Sequence, residues 1–200
     1  VFTTLPQRYG TQRNVQKREL ADSIQIYRFK TPQHKNNFYL QLFSFAFFAL
    51  KAYIYAIFKK KEFDMVFGTS SRLGTGYLAY KISKLLNKKL ALDIRDIFSD
   101  SLSSLKISKL LIFKPFIKFM VKTETKICNE ADWLNFVSPG FKKYDHLNDL
   151  KNKPHVFTNG IDEIFIKNRL KTIKVKNKSK KLIITYAGNI GYGQGLEKTV

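Results

Sequence analysis

A glycine-rich stretch near the end of the chain has the residue types that bind phosphate. Residues 186–197 read Tyr-Ala-Gly-Asn-Ile-Gly-Tyr-Gly-Gln-Gly-Leu-Glu, and they overlap an apolar run predicted to form a strand over 182–187. Glycine lets the backbone approach an anion closely, and the helix predicted to begin at Leu196 offers unpaired N–H groups and a positive dipole end. The spacing is neither that of the P-loop nor that of the complete dinucleotide-binding fingerprint. A phosphate site and a plain tight turn therefore both stay open.

A second group of residues capable of chemistry lies in the middle of the chain. Residues 93–100, Asp-Ile-Arg-Asp-Ile-Phe-Ser-Asp, place three carboxylates and one guanidinium at the end of a predicted strand over 90–94. Period-two alternation directs Asp93 and Arg95 to one face of the sheet, whereas Asp96 enters the loop. A loop carboxylate there can act as a base, orient a hydroxyl or polarise a donor. A structural role for Asp96 is equally open, and the final serine and aspartate suit a helix N-cap.

The sequence lacks the spacing of a metal centre and of a serine hydrolase. The three histidines lie far apart, and the single cysteine, Cys128, excludes an internal disulfide framework and a multi-cysteine zinc site. No serine lies in a G-x-S-x-G elbow, which argues against nucleophilic hydrolysis. The spacing of these residues therefore predicts neither a metal cluster nor nucleophilic hydrolase chemistry.

The elements that must position these residues alternate along the chain. Short apolar runs predict strands over 1–5, 24–29, 64–68, 90–94, 133–137, 155–157 and 182–187, and longer patterns predict helices over 38–60, 74–86, 104–127 and 139–147. This alternation predicts an α/β fold with a doubly wound parallel sheet, whose ligands bind beyond the carboxyl ends of the strands. The polar residues that follow those ends include Ser71, Arg72, Arg95, Asp96, Ser138 and Asn159.

The chain is strongly basic. It has 36 lysines and arginines against 15 acids in 200 residues, a formal net charge of +21, and 44% of its residues are apolar. A strong positive electrostatic field suits nucleic acid, an anionic membrane or a phosphorylated substrate as a partner. A lysine-rich surface that has no such partner gives the same net charge. Neither an aromatic ribonucleoprotein-type strand nor a zinc finger is present, so nucleic acid is the weaker expectation.

The segment 38–58 is the most apolar part of the chain and is rich in aromatic residues. Gln41 and Lys51 interrupt it, which disfavours a helix that crosses a membrane. Two interpretations are left. The helix covers the sheet as part of the core, or it lies at a membrane interface, where its aromatic residues and the lysines at 59–61 suit anionic lipid.

Six sequence blocks, taken together and in order, resemble the family 4 glycosyltransferases, in particular the branch that builds bacterial O-antigen and capsule. The blocks span nearly the whole chain: Phe-Thr-Thr-Leu-Pro-Gln-Arg-Tyr at 2–9, Gly-Thr-Ser-Ser-Arg at 68–72, Leu-Asp-Ile-Arg-Asp-Ile-Phe at 92–98, Val-Ser-Pro-Gly-Phe at 137–141, Thr-Asn-Gly-Ile-Asp at 158–162 and the glycine-rich stretch at 186–197. The resemblance implies the GT-B fold, in which two Rossmann-like domains face each other across a cleft.

This resemblance implies a domain division. Residues 1–160 would form the acceptor-side Rossmann-like domain without its first strand, 161–181 an interdomain linker, and 182–200 the first strand and loop of a second Rossmann-like domain that binds the nucleotide-sugar. The first strand and a later Glu-x₇-Glu region of the family lie outside the printed residues. These residues alone are therefore expected to be catalytically inactive.

The resemblance also implies roles for individual residues. Asp96 falls where the family places a polar residue beside the donor sugar, and it is the expected catalytic residue. The donor diphosphate would lie against Gly188, Asn189, Gly191, Gln194 and Gly195. Family members commonly have arginine and lysine in this loop, whereas this chain has Asn189 and Gln194. Side-chain amides, backbone N–H groups and the helix start would therefore have to bind the diphosphate. The acceptor side of the cleft would include Ser71, Arg72, Arg95, Ser138 and Asn159.

By resemblance, the protein transfers a sugar, with retention at the anomeric carbon and without a metal or cofactor. The donor is a nucleotide-sugar and the acceptor a saccharide on a polyprenyl diphosphate. The protein would be cytoplasmic and peripheral, on the anionic inner face of the bacterial plasma membrane, and nucleic acid is not an expected partner. The alternative is a catalytically incomplete domain that binds a membrane or a partner protein. An oxidoreductase is a third class, but its complete glycine fingerprint does not occur in the sequence.

Overall fold

The computed structural model of the protein describes six stretches of the chain: 1–6, 15–33, 37–70, 72–99, 114–169 and 185–188. The chain divides into two compact units, Val1–Phe157 and Thr158–Val200. The first unit contains two β-sheets and the helices that pack on them.

A small mixed sheet begins the first unit. Its strand β1 (Phe2–Thr4) runs parallel to β3 (Ile24–Phe29), and β3 pairs on its other side with antiparallel β2 (Arg18–Ala21). Asp22 and Ser23 join β2 to β3, and both have positive φ, as in a tight hairpin turn. The sequence predicted β1 and β3 but missed β2, because three of its four residues are exposed and give no apolar alternation.

The helix α1 (Phe38–Phe58) follows the small sheet. The Asn37 side chain caps its start by accepting a backbone N–H hydrogen bond of 3.2 Å. One side of α1 packs on the small sheet, where the Tyr55 ring lies 5.5 Å from that of Phe2. The stretch Tyr39–Phe58 is long and apolar enough to cross a membrane, a condition that core helices of soluble proteins also meet, yet only 17% of its most apolar window is buried. α1 also packs on the helix Leu73–Leu86, where the Phe45 ring lies against Gly74. The remaining side of α1 is not enclosed by the described part of the protein.

Four parallel strands form the larger sheet of the first unit. In spatial order they are β4 (Met65–Ser70), β5 (Lys89–Ile94), β6 (Trp133–Phe136) and β7 (His155–Val156). The helix α2 (Leu73–Leu86) connects β4 to β5, and the helix α3 (Lys114–Asn129) precedes β6. This arrangement confirms the predicted α/β class with a parallel, Rossmann-like sheet.

The core lies between the larger sheet and the helices α2 and α3. It is built from buried residues of both layers, among them Ala79, Tyr80, Leu90, Leu92, Ile94, Ile127, Cys128, Leu134 and Phe136. Gly68 lets α2 approach β4, since a Cβ added there would lie 2.7 Å from the Ala79 Cβ. Burial, assisted by the nearby Glu124, raises the pKa of the Cys128 thiol to about 12. Cys128 is therefore a protonated core residue.

Three 3-10 helices lie within the described part of the first unit: Lys60–Glu62, Pro139–Lys143 and Asp145–Leu147. The sequence predicted one α-helix over 139–147, and this prediction is wrong. Tyr144 has extended backbone angles, φ −81° and ψ 119°, so the two turns on either side cannot join into one helix. Of the helix predicted over 104–127, residues 104–113 lie outside the described residues and the remainder corresponds to α3.

The second unit is described over 158–169 and 185–188. It contains the short helix α4 (Glu163–Arg169), so the predicted linker at 161–181 begins with a helix rather than with irregular chain. Lys167 and Glu163, one turn apart, form an exposed ion pair of 2.8 Å. The assignment of 161–181 to a linker and of 182–200 to a second domain stays a prediction, because most of these residues lie outside the described stretches.

Candidate functional site

A row of polar side chains crosses the larger sheet near the carboxyl ends of its strands. The strand register places Thr69 of β4 beside Asp93 of β5, and Asp93 beside Asn135 of β6. The Thr69 hydroxyl donates to Asp93 Oδ2 at 3.2 Å, and Asn135 Nδ2 donates to Asp93 Oδ1 at 2.7 Å. Both carboxylate oxygens of Asp93 are thus held in place. We call Thr69, Asp93 and Asn135 the polar row.

Strand alternation places the polar row on the face opposite the core. In β5 the flanking residues Leu92 and Ile94 are buried in the core, so Asp93 between them projects to the other face. Asn135 lies in the same way between buried neighbours in β6 and is itself only 3% exposed. The sequence did not single out Asn135, although an amide inside an otherwise apolar strand was a signal that it needs a partner.

Asn135 also fixes the end of β7. Its Oδ1 accepts a hydrogen bond of 2.7 Å from the Phe157 N–H, and its Nδ2 donates to the Phe157 carbonyl oxygen at 3.2 Å. With the bond to Asp93, one side chain therefore connects β5, β6 and the residue after β7. A buried amide that is satisfied in this manner makes the carboxyl edge of the sheet rigid.

Two oppositely charged residues stand beside the polar row. Arg95 Nε lies 3.7 Å from Asp93 Oδ2, and the Arg95 side chain is 47% exposed. This contact agrees with the predicted placement of Asp93 and Arg95 on one face. Asp96 follows at the start of the next loop and is exposed. A solvent-accessible guanidinium and carboxylate at this edge have the chemistry to bind a phosphate and a hydroxyl, respectively.

A buried carboxylate anchors the loop that carries Asp96. Glu124 of α3 is 3% exposed, and its carboxylate accepts hydrogen bonds from the Phe98 N–H at 3.0 Å and from the Ser99 hydroxyl at 2.5 Å. His146 Nε2 lies 3.2 Å from the same carboxylate. Ser99, predicted to suit a helix N-cap, donates its hydroxyl to this side chain, and its capping role stays a prediction. Asp100, predicted for the same role, lies outside the described residues. Glu124 was not singled out in the sequence, although its spacing from Ile127 and Cys128 places it on their buried side of α3.

Two other predicted site residues are described in the first unit. Arg72 is exposed at the N-cap position of α2, where its side chain makes no capping hydrogen bond. The Ser138 hydroxyl accepts a 3.2 Å hydrogen bond from the Gly140 N–H and so caps the 3-10 helix that follows β6. A structural role for Ser138 is therefore visible, and a role of either residue toward a ligand stays a prediction. Ser71 lies outside the described residues.

The residues predicted to bind the donor belong to the second unit. Gly188 is described, and it lies close to the Tyr186 ring: a Cβ added to it would lie 2.7 Å from the Tyr186 hydroxyl oxygen. Tyr186 is 50% exposed and its side chain can move aside, so this contact does not by itself require glycine. Asn189, Gly191, Gln194 and Gly195 lie outside the described residues, as do residues 182–184 of the predicted strand over 182–187. The described residues 185–187 of that prediction do not form a strand. Asn159, predicted on the acceptor side, is exposed in the same unit.

The described residues contain no group of three or more histidine, cysteine, aspartate or glutamate side chains that could hold a metal ion. The polar row has one carboxylate, that of Asp93, and the Arg95 guanidinium lies beside it. The positive charge of Arg95 disfavours a metal cation at the same carboxylate. The described chemistry of this edge is that of hydrogen bonding and ion pairing.

The fold and this edge define an α/β protein with a Rossmann-like parallel sheet and a polar, partly charged carboxyl edge. No protein-family model matches the chain, and no curated protein matches it. The resemblance to glycosyltransferases therefore depends on the six sequence blocks alone.

Proposed function

We propose that the chain belongs to a glycosyltransferase that moves a sugar from a nucleotide-sugar to a lipid-linked saccharide in the synthesis of a bacterial surface polysaccharide. The observation that supports this proposal is that two exposed charged residues, Arg95 and Asp96, follow β5 at the carboxyl edge of the parallel sheet. Arg95 contacts Asp93 of the polar row. Ligands of open parallel sheets bind at this edge, and transfer from a sugar diphosphate needs both a cation and a hydrogen-bond acceptor.

The proposed reaction is a substitution at the anomeric carbon. The bond from this carbon to the donor diphosphate breaks, and its electron pair leaves with the nucleoside diphosphate. A bond to an acceptor hydroxyl oxygen forms on the same face, and the hydroxyl proton passes to an oxygen of the departing diphosphate. Asp96 would accept a hydrogen bond from a sugar hydroxyl, and Arg95 would stabilise negative charge that grows on the diphosphate. The polar row would keep Arg95 in place through Asp93.

The test compares two aspartate variants of the natural gene product that contains these residues. Release of nucleoside diphosphate is measured with a panel of nucleotide-sugars and a polyprenyl-diphosphate-linked acceptor. We expect Asp96→Asn to lower the rate of nucleoside diphosphate release by roughly 100-fold, because it removes the carboxylate that would accept a hydrogen bond from the sugar hydroxyl. Asp149→Asn, a matched change at an exposed aspartate in the segment before β7, should leave the rate unchanged. Equal rates for both variants would remove Asp96 from the proposed site.

A second candidate is a domain that binds a membrane or a partner protein without catalysis. The exposed apolar side of α1 favours this candidate, because an enzyme site on the larger sheet does not need it. The two candidates differ in one result: the binding domain releases no nucleoside diphosphate from any donor. In either case we propose a peripheral, cytoplasmic location on an anionic membrane surface, and we do not propose nucleic acid as a partner.

A further inference from the structure

The two sides of α1 have different surroundings. On the inner side, Ala52 and Ala56 are 1% and 0% exposed, and the Tyr55 ring contacts the rings of Phe2 and Phe29 at 5.5 and 5.9 Å. On the outer side, nine large apolar residues are between 39% and 81% exposed: Tyr39, Leu40, Leu42, Phe43, Phe47, Leu50, Ile54, Ile57 and Phe58. We call these nine residues the outer stripe. So large an apolar surface marks an interaction site.

The outer stripe is continuous along α1. Tyr39, Phe43, Phe47, Leu50, Ile54 and Ile57 recur at intervals of three or four residues, which places them on one helix face. Every exposed residue of the helix from position 39 to its end is apolar. The 20 residues of this stretch make a stripe roughly 30 Å long. A partner of α1 must therefore be apolar along this whole length.

A basic groove adjoins the second half of the outer stripe. Its volume is about 430 Å³, and it is lined by Lys17, Arg28, Phe29, Lys30, Lys51, Ile54, Tyr55 and Phe58. Ile54 and Phe58 belong to the groove and to the outer stripe, so the two surfaces are contiguous. The described lining contains four cations and no acidic side chain.

Two of the four cations are held in place. Lys51 Nζ donates to the Lys30 carbonyl oxygen at 2.9 Å, and Arg28 Nη1 lies 2.6 Å from Glu19 Oε2. The other two, Lys17 and Lys30, are exposed. Glu19 is thus the one carboxylate described in contact with these four cations, and it pairs with Arg28 alone. The groove therefore keeps a net positive charge, which suits an anion.

We propose that the groove binds the phosphate headgroup of an anionic phospholipid while the outer stripe lies among the acyl chains, with α1 parallel to the membrane surface. A phosphate joined to hydrocarbon matches a basic groove that continues into an apolar stripe. The packing of Ala52, Ala56 and Tyr55 against the protein fits a helix that lies in the interface rather than across the bilayer. This proposal rests on the membrane location proposed above and does not depend on sugar transfer. Absence of flotation would therefore remove the membrane location and leave the release of nucleoside diphosphate as a separate test.

The first test is flotation of the 200-residue chain with vesicles of phosphatidylcholine that contain about 30% phosphatidylglycerol. We expect binding to these vesicles at low salt and little binding to pure phosphatidylcholine. The double variant Lys17→Gln with Lys30→Gln should partition roughly 30-fold more weakly, because each basic residue near an anionic surface contributes a factor of roughly five. The matched control, Lys142→Gln with Lys151→Gln, removes the same charge at exposed sites elsewhere.

A second pair of variants tests the outer stripe. Phe43→Ser with Leu50→Ser should weaken partitioning roughly tenfold or more, since both side chains would leave the acyl region. The control Ile164→Ser with Phe165→Ser changes two residues of α4 that are 62% and 63% exposed. Circular dichroism checks that each variant is folded.

Several outcomes would overturn the proposal. They are absence of flotation at low salt, equal losses in the groove variant and its lysine control, and equal losses in the stripe variant and its control. Release from vesicles by inorganic phosphate, but not by sodium chloride of equal ionic strength, would assign the groove to free phosphate. Binding to a single-stranded oligonucleotide at physiological salt that fails in the groove variant alone would assign it to nucleic acid.

Discussion

Asn135 forms hydrogen bonds with more segments at the carboxyl edge of the larger sheet than any described site residue that was predicted from the sequence. Its amide contacts Asp93, 42 positions earlier in the chain, and both backbone groups of Phe157. Each of these groups lies in the sheet or at its edge, where a lost hydrogen bond is not fully replaced by water. The position of Asp93, and through it that of Arg95, therefore depends on Asn135.

We expect Asn135→Ala to lower the free energy of unfolding by about 2 kcal/mol, because it leaves an oxygen of the partly buried Asp93 carboxylate and two backbone groups of Phe157 without their partner. The measurement is urea unfolding followed by circular dichroism. Asn148→Ala, the same change at an exposed asparagine, should have little effect. If both variants unfold at the same urea concentration, the hydrogen bonds of Asn135 do not stabilise the sheet.

At the scale of elements, Glu124 joins three segments of the first unit. It belongs to α3, it accepts hydrogen bonds from the loop after β5, and it contacts His146 in the 3-10 helix Asp145–Leu147. Thr125 reinforces the last connection, since its hydroxyl donates to the His146 carbonyl oxygen at 3.1 Å. The loop that presents Asp96 is therefore held at its far end by α3.

We expect Glu124→Gln to destabilise the protein by about 2 kcal/mol, because one of its two acceptor oxygens becomes an amide that faces donors. Hydrogen exchange should quicken at the Phe98 amide, whose partner is Glu124. The control is Glu62→Gln at an exposed glutamate, which should change neither the free energy of unfolding nor the hydrogen exchange at the Phe98 amide. Unchanged exchange at Phe98 in Glu124→Gln would contradict the anchoring role.

At the scale of the whole molecule, stability is concentrated in the first unit. Among the described residues, the buried cluster at the larger sheet lies between Leu73 and Leu147, and two further buried apolar residues, Ala52 and Ala56, belong to α1. The described side chains of the second unit are exposed. Hydrophobic burial is the dominant favourable term in folding, so the second unit contributes little to the core.

We expect a truncated chain that ends at Gly160 to unfold cooperatively, with a Tm within about 4 °C of that of the 200-residue chain, which corresponds to about 1 kcal/mol. Differential scanning calorimetry measures both transitions. A truncated chain that shows no cooperative transition would mean that residues after Gly160 complete the core.

The sequence by itself determined the alternation of strands and helices, and hence the parallel sheet, because apolar periodicity is a property of each segment alone. It also placed Asp93 and Arg95 on one face, since strand alternation is equally local. The hairpin strand β2 was missed, and residues 139–147 were predicted as one α-helix instead of two 3-10 helices, because exposed or interrupted turns have no such periodicity.

Only the tertiary structure decided which polar residues meet. The contacts of Asn135 with Asp93 and of Glu124 with Ser99 depend on strand register and on the position of α3, and neither is written in a local pattern. The same holds for α1, where the sequence allowed both a core helix and an interfacial one. Its composition is the same on either interpretation. The packing of the small sheet and of α2 against α1 determined which of its residues are left exposed.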